Sequence, residues 1–109
     1  MSEDQLRTLV RCGMYVGSHG AHHYWMDTLT PEQQVADIDR SLNFLNSLGA
    51  TIADWFMCYP YGASNFELHA ILKARRCIAG LTTQPGVAKL KRDDAMLLPR
   101  MDTNEIPLR

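Results

Sequence analysis

The stretch Trp55-Phe56-Met57-Cys58-Tyr59-Pro60-Tyr61-Gly62, WFMCYPYG, decides the fold. Its apolar, aromatic-rich run is halted by Pro60 and Gly62, which reads as a short buried strand ending in a turn. Upstream, Thr30-Pro31-Glu32-Gln33 opens a helix: a Thr cap, Pro in the first helical position and Gln three residues after the cap. Val35, Ile38, Leu42 and Leu45 follow at spacings of three and four, so this helix turns one face to the core with polar residues outside, until Gly49 stops it. Downstream, Ser64 or Asn65 begins another helix carrying Leu68, Ile71 and Leu72, residues 77–82 read as a second strand, and Met96-Leu97-Leu98 reads as a weaker last one. At the start of the chain Ser2 caps a helix with Leu6, Leu9 and Val10 on its apolar stripe, Gly13 ends it, and residues 14–17 read as a short buried strand. Helix and strand alternate throughout, which predicts an α/β fold with three to four mostly parallel strands.

Composition bounds the rest. A length of 109 residues suits one domain, and 46% hydrophobic with 21% charged residues is the balance of a chain that folds. Eleven basic residues against twelve acidic ones, interspersed, leave a net charge of -1. That balance gives no electrostatic footprint for nucleic acid or an anionic membrane surface. Cys12, Cys58 and Cys77 are widely separated and form no C-x-x-C pair, so reduced thiols and a cytoplasmic setting are expected. The first residues carry charges where a signal peptide needs an apolar core, and no segment approaches the apolar length of a membrane span.

In sheets of this kind the chemistry gathers at the C-terminal ends of strands. Two stretches fall there: Tyr59-Pro60-Tyr61-Gly62, and VGSHGAHH over residues 16–23, which packs three of the four histidines into five positions. His19 and His23 are four apart, a spacing that lets two imidazoles converge on one cation if the segment turns helically, or leaves them bonded to backbone and solvent. His22 reads as a neighbour of such a site. Tyr24 and Trp25 present aromatic faces able to stack on a sugar ring or to cover the following helix.

Together these stretches resemble the polysaccharide deacetylase family, carbohydrate esterase family four. His19 and His23 match the family's His-x-x-x-His motif, and Cys58-Tyr59-Pro60-Tyr61-Gly62 matches its Arg-x-Pro-aromatic-Gly motif with Cys58 in place of the arginine; Leu98-Pro99-Arg100 looks like a late strand-end segment of bacterial members. The resemblance implies a partial, open (β/α) barrel over residues 1–109. It implies a divalent metal, zinc first, held by His19 and His23, with the backbone N–H of Tyr61 helping to hold the oxyanion. Tyr24, Trp25, Pro60 and Tyr61 would line the cleft for an acetylated sugar or polysaccharide, with acetate as a product. The family's Phe-Asp-Asp motif, which supplies the catalytic base and an acidic ligand, has no match in these residues, so the resemblance provides no base here. A truncated domain, impaired alone and associating with further copies through exposed strand edges, is the expectation; a noncatalytic oligomerisation or sugar-binding module built on the same fold is the alternative.

Overall fold

The computed structural model describes residues 1–106. Its elements follow in the order α1 (Glu3–Arg11), α2 (Pro31–Ser47), β1 (Trp55–Cys58), α3 (Phe66–Ala74), β2 (Cys77–Pro85) and β3 (Leu98–Arg100), with short 3-10 turns at Met26–Thr28, Pro60–Gly62 and Thr103–Glu105. The strands form one parallel sheet in the order β1-β2-β3. This is the open, mostly parallel α/β sheet expected from the alternation of elements. No helix among the described residues is long and apolar enough to cross a membrane.

Local chemistry fixes each helix end. Ser2 and Gln5 form a reciprocal capping box at α1, and Thr30 and Gln33 form another at α2, where Pro31 takes the first helical position. The Asn65 side chain caps α3 by accepting the Leu68 N–H at 2.9 Å. Arg7 donates to the carbonyl of Ser47 at 2.6 Å, tying α1 to the C-terminal end of α2, where carbonyls lack helical partners. Arg75 forks onto Asp39, bridging the end of α3 to α2 and holding the Asp39 carboxyl below its ordinary pKa, chiefly through that hydrogen bond.

The core lies on one face of the sheet. Trp55 and Met57 of β1 are fully buried against Ile38 and Leu42 of α2 and Leu68 and Leu72 of α3, with Met26, Tyr59, Cys77 and Met96 completing the cluster. Alternation in β1 sends Phe56 to the opposite face, where it is 41% exposed beside an apolar groove shared with Ile78, Leu81 and Leu90. Met14 and Met101 are exposed. A smaller cluster of Leu45, Leu48 and Ala50 takes up Leu6, Val10 and Val16. Gly80 in β2 is required by a close approach: a Cβ there would collide with the Tyr59 hydroxyl and come within 2.7 Å of the Met96 carbonyl. That hydroxyl donates to the same carbonyl at 2.6 Å, and burial raises its pKa.

Three expectations need correction. Residues 14–17 form no buried strand; Met14 and Tyr15 are exposed, and pairing is confined to a single parallel bridge between Ser18 and Met57. The cause is visible at Phe56, whose N–H donates to the Tyr15 hydroxyl at 2.7 Å. The last strand starts at Leu98, two residues later than the apolar run suggests, because Asp94 takes the Met96 N–H on its side chain and the Leu97 N–H on its carbonyl, prolonging a turn. Finally, α2 is not polar only on its outside: Gln34, Asp37 and Ser41 are buried.

Candidate active site

The segment between the Ser18 bridge and α2 carries the histidines. Ser18 is locked to β1 from both sides, donating its N–H to Phe56 O at 3.3 Å and accepting the Cys58 N–H at 2.9 Å. This delivers His19 to the C-terminal end of β1. There the His19 Nδ1 lies 2.7 Å from Cys58 O. A carbonyl only accepts, so Nδ1 carries the proton and Nε2 is left with its lone pair.

Gly20 at φ +76° turns the chain, and His23 adopts φ 57°, a left-handed conformation in which histidine is enriched among non-glycine residues. The turn brings the His19 and His23 rings to a centroid separation of 4.8 Å, inclined by 56°. The two residues four apart are thus together, as their spacing suggested. His22 points elsewhere: its Nδ1 bonds the buried Asp37 carboxylate at 2.6 Å, and its ring stacks on Tyr24 at 5.1 Å. Among the described residues no group of three His, Cys, Asp or Glu side chains converges as a ligand set. His19 and His23 together offer two imidazoles, fewer donors than a structural or catalytic metal takes from protein.

The turn after β1 faces this pair. Tyr61 takes φ 59°, a conformation that costs a bulky residue about 1–3 kcal/mol. Gly62 follows at φ +70°, where a Cβ would collide with the Thr83 side chain and stand 3.0 Å from the Thr83 N. Gly62 donates to Tyr59 O and Ala63 to Pro60 O, whereas among the described residues none accepts the Tyr61 N–H. The Tyr61 ring lies 4.7 Å from the His23 ring and stacks on Trp25 at 4.2 Å with 3° between planes. Both aromatic rings are half exposed.

Of these groups His19 and Tyr61 line a cleft of about 510 Å³, together with Thr82, Thr83, Arg100, Asp102 and Glu105. Of the residues singled out from sequence, His19, His23, Trp25 and Tyr61 are brought together. Pro60 is buried beneath them, and Tyr24 turns into a separate groove of about 480 Å³ with His22, Gln33 and Arg40. Three groups near the site were given no site role in the sequence reading. Arg100 places its guanidinium 3.8 Å from the Cys58 sulfur, so a cation from β3 stands beside the position where the resembled motif has its arginine. Asp102 reaches the cleft from a turn that it caps by accepting the Asn104 N–H, a bond that holds its carboxyl below the usual range. Asp37 supports the histidine loop from beneath. Only the pairing of β3 with β2 brings the Asp102 turn to the cleft that His19 lines.

A family model described as polysaccharide deacetylase matches residues 1–77. The chain is 28% identical over 99 residues to YxkH of Bacillus subtilis (strain 168), whose curated name assigns polysaccharide deacetylase activity provisionally; the match covers 88% of this chain and 33% of that protein. Among solved structures, the deacetylase PplD of Streptococcus pyogenes in complex with acetate superposes with a TM-score of 0.83 at 22% identity, over 93% of this chain and 44% of that one. The family 4 carbohydrate esterase of Streptomyces lividans, also in complex with acetate, superposes with a TM-score of 0.66 at 23% identity, over 72% of this chain and 40% of that one. The chain therefore spans a third of the curated relative and less than half of either structure, and the structures share its open parallel fold.

Proposed function

The chain belongs to the polysaccharide deacetylase family, and from that premise we propose that its cleft is the histidine and oxyanion side of a metal-dependent deacetylase centre for acetylated sugars or polysaccharide. The observation that carries this reading is the meeting of the His19, His23 and Tyr61 rings at one strand end. His19 and His23 would hold a divalent cation, zinc first, which when bound supplies Lewis acidity at the acetyl carbonyl and lowers the pKa of water. The Cys58 carbonyl fixes the His19 tautomer. The Tyr61 N–H, which no group among the described residues accepts, would donate to the carbonyl oxygen as negative charge develops there during attack. The Trp25–Tyr61 stack offers an aromatic face to a pyranose ring, and Arg100 brings positive charge beside Cys58. The acetate bound by two related structures supports acetyl chemistry at such a cleft.

The test is acetate release from N-acetylated chito-oligomers with zinc present, comparing the chain with His19→Ala. Release lost on substitution supports the reading. Equal release from both, or no binding of the oligomers by either, refutes it. A second reading, a sugar-binding module without turnover, is favoured by the lack of three converging ligands among the described residues. It predicts that Trp25→Ala abolishes oligomer binding while no acetate appears. Exposed apolar groups beside the sheet, Phe56, Ile78 and Leu90, support association with further copies.

A further inference from the structure

The histidine loop rests on a polar stripe of α2. Gln34, Asp37 and Ser41 lie three and four residues apart on one face of that helix, and each engages the chain between residues 18 and 26. Gln34 Nε2 donates to Met26 O at 2.8 Å, and the Ser41 hydroxyl meets the Ser18 hydroxyl at 2.7 Å. The middle member differs in kind. The Asp37 side chain is 2% exposed, and a buried carboxylate is costly unless its lone pairs are taken up. One oxygen accepts the Ala21 N–H at 2.9 Å, and the other meets His22 Nδ1 at 2.6 Å. Both contacts fall strictly between His19 and His23.

Gly20 completes the fit. Its Cβ, if it had one, would stand 2.8 Å from Asp37 Oδ2, and its φ of +76° is unfavourable to other residues. Gly20 also donates its N–H to Ser18 Oγ at 3.2 Å. The loop therefore closes onto the carboxylate at the one residue without a side chain, which leaves the flanking histidine rings 4.8 Å apart.

We propose that Asp37 is the positioning residue of the two-histidine site, setting the spacing of the His19 and His23 rings by binding Ala21 N–H and His22 Nδ1 between them. The part that concerns metal rests on the function proposed above; the part that concerns the loop does not. The experiment has two arms, both on the full chain. The first, without metal, follows the nuclear Overhauser contact between the His19 and His23 rings and amide exchange at Ala21, in Asp37→Ala and in the isosteric Asp37→Asn. In Asp37→Ala the ring contact is lost and Ala21 exchange rises about tenfold or more, while core amides such as those of Met57 and Leu72 keep their relative protection. Asp37→Asn retains an acceptor for Ala21 but not a carboxylate for His22; it keeps more Ala21 protection and still weakens the ring contact. It also serves as the folded variant should the alanine form not fold.

The second arm measures affinity for zinc ion by competition with a chromophoric chelator. Both variants bind about 10–100-fold more weakly than the parent, the range typical when support behind a ligand is removed. An unchanged ring contact and Ala21 exchange in both variants overturn the proposal. So does core exchange that accelerates as much as Ala21 in both, since that is general destabilisation. If the parent and His19→Ala bind zinc equally, the metal reading fails, and the first arm alone decides the role of Asp37.

Discussion

Replacing Gly62 by alanine tests how the turn after β1 holds Tyr61 against the histidines. Two costs add. The residue sits at φ +70°, where a Cβ costs about 1–2 kcal/mol. The new Cβ also collides with the Thr83 side chain and meets the Thr83 N at 3.0 Å, overpacking of a kind that costs about 1–3 kcal/mol. The sum is about 2–5 kcal/mol, or a fall in Tm of roughly 10–20 °C for a chain of this size. Urea denaturation of the parent and of Gly62→Ala measures it. Repeating the substitution in a Thr83→Gly background separates the terms: with the Thr83 side chain gone, the cost falls to the backbone part, about 1–2 kcal/mol. A cost under about 0.5 kcal/mol in the parent background, within the range of ordinary surface changes, refutes the reasoning. Equal costs in both backgrounds would show that the collision with Thr83 is relieved at no expense. Because Tyr61 is the proposed oxyanion donor, any acetate release falls in the same variant.

Other consequences follow from single contacts. Tyr59→Phe leaves the buried Met96 carbonyl without the Tyr59 hydroxyl, and chemical denaturation registers a loss of about 1–3 kcal/mol. The Asp39 carboxyl is held below its ordinary value of 3.8 chiefly by the Arg75 hydrogen bond, so its stabilisation is present above that pH and is lost as pH falls through the folded value. The Asp39 side chain is 47% exposed, so Asp39→Asn costs less than about 1 kcal/mol at pH 7, and urea midpoints of parent and variant converge once pH has fallen below the folded pKa of the carboxyl. Sedimentation equilibrium finds the chain at dimer mass or above, with Phe56→Glu moving it toward monomer; monomer mass for the parent across the micromolar range contradicts self-association through the exposed apolar groups.

Much of the fold was legible because its signals are local. Capping boxes at Ser2–Gln5 and Thr30–Gln33 are written in four residues each, and the Pro60 and Gly62 stop is equally self-contained. The misreadings arose where a distant group competes for a backbone donor. Residues 14–17 look like a strand until the Tyr15 hydroxyl takes the Phe56 N–H, and Met96 and Leu97 look like strand until Asp94 claims theirs. At the site, the spacing of His19 and His23 and the turn at Tyr61 were visible in the sequence, because each is a short-range pattern at a strand end. Asp37 was hidden by its place in an amphipathic helix, where the apolar positions nearby drew it as an outer, solvated carboxylate. Arg100 was hidden by distance: 42 residues separate it from the sulfur it faces, and only the register of β3 on β2 joins them.

The function proposed here makes His19 and His23 the metal-binding pair of this chain. Equilibrium dialysis against zinc, followed by elemental analysis of the parent and the His19→Ala, His23→Ala double variant, tests it most directly. About one zinc per chain is expected in the parent, with near-complete loss in the variant; equal uptake by both proteins, or none by the parent at millimolar zinc, would rule the pair out as the metal site.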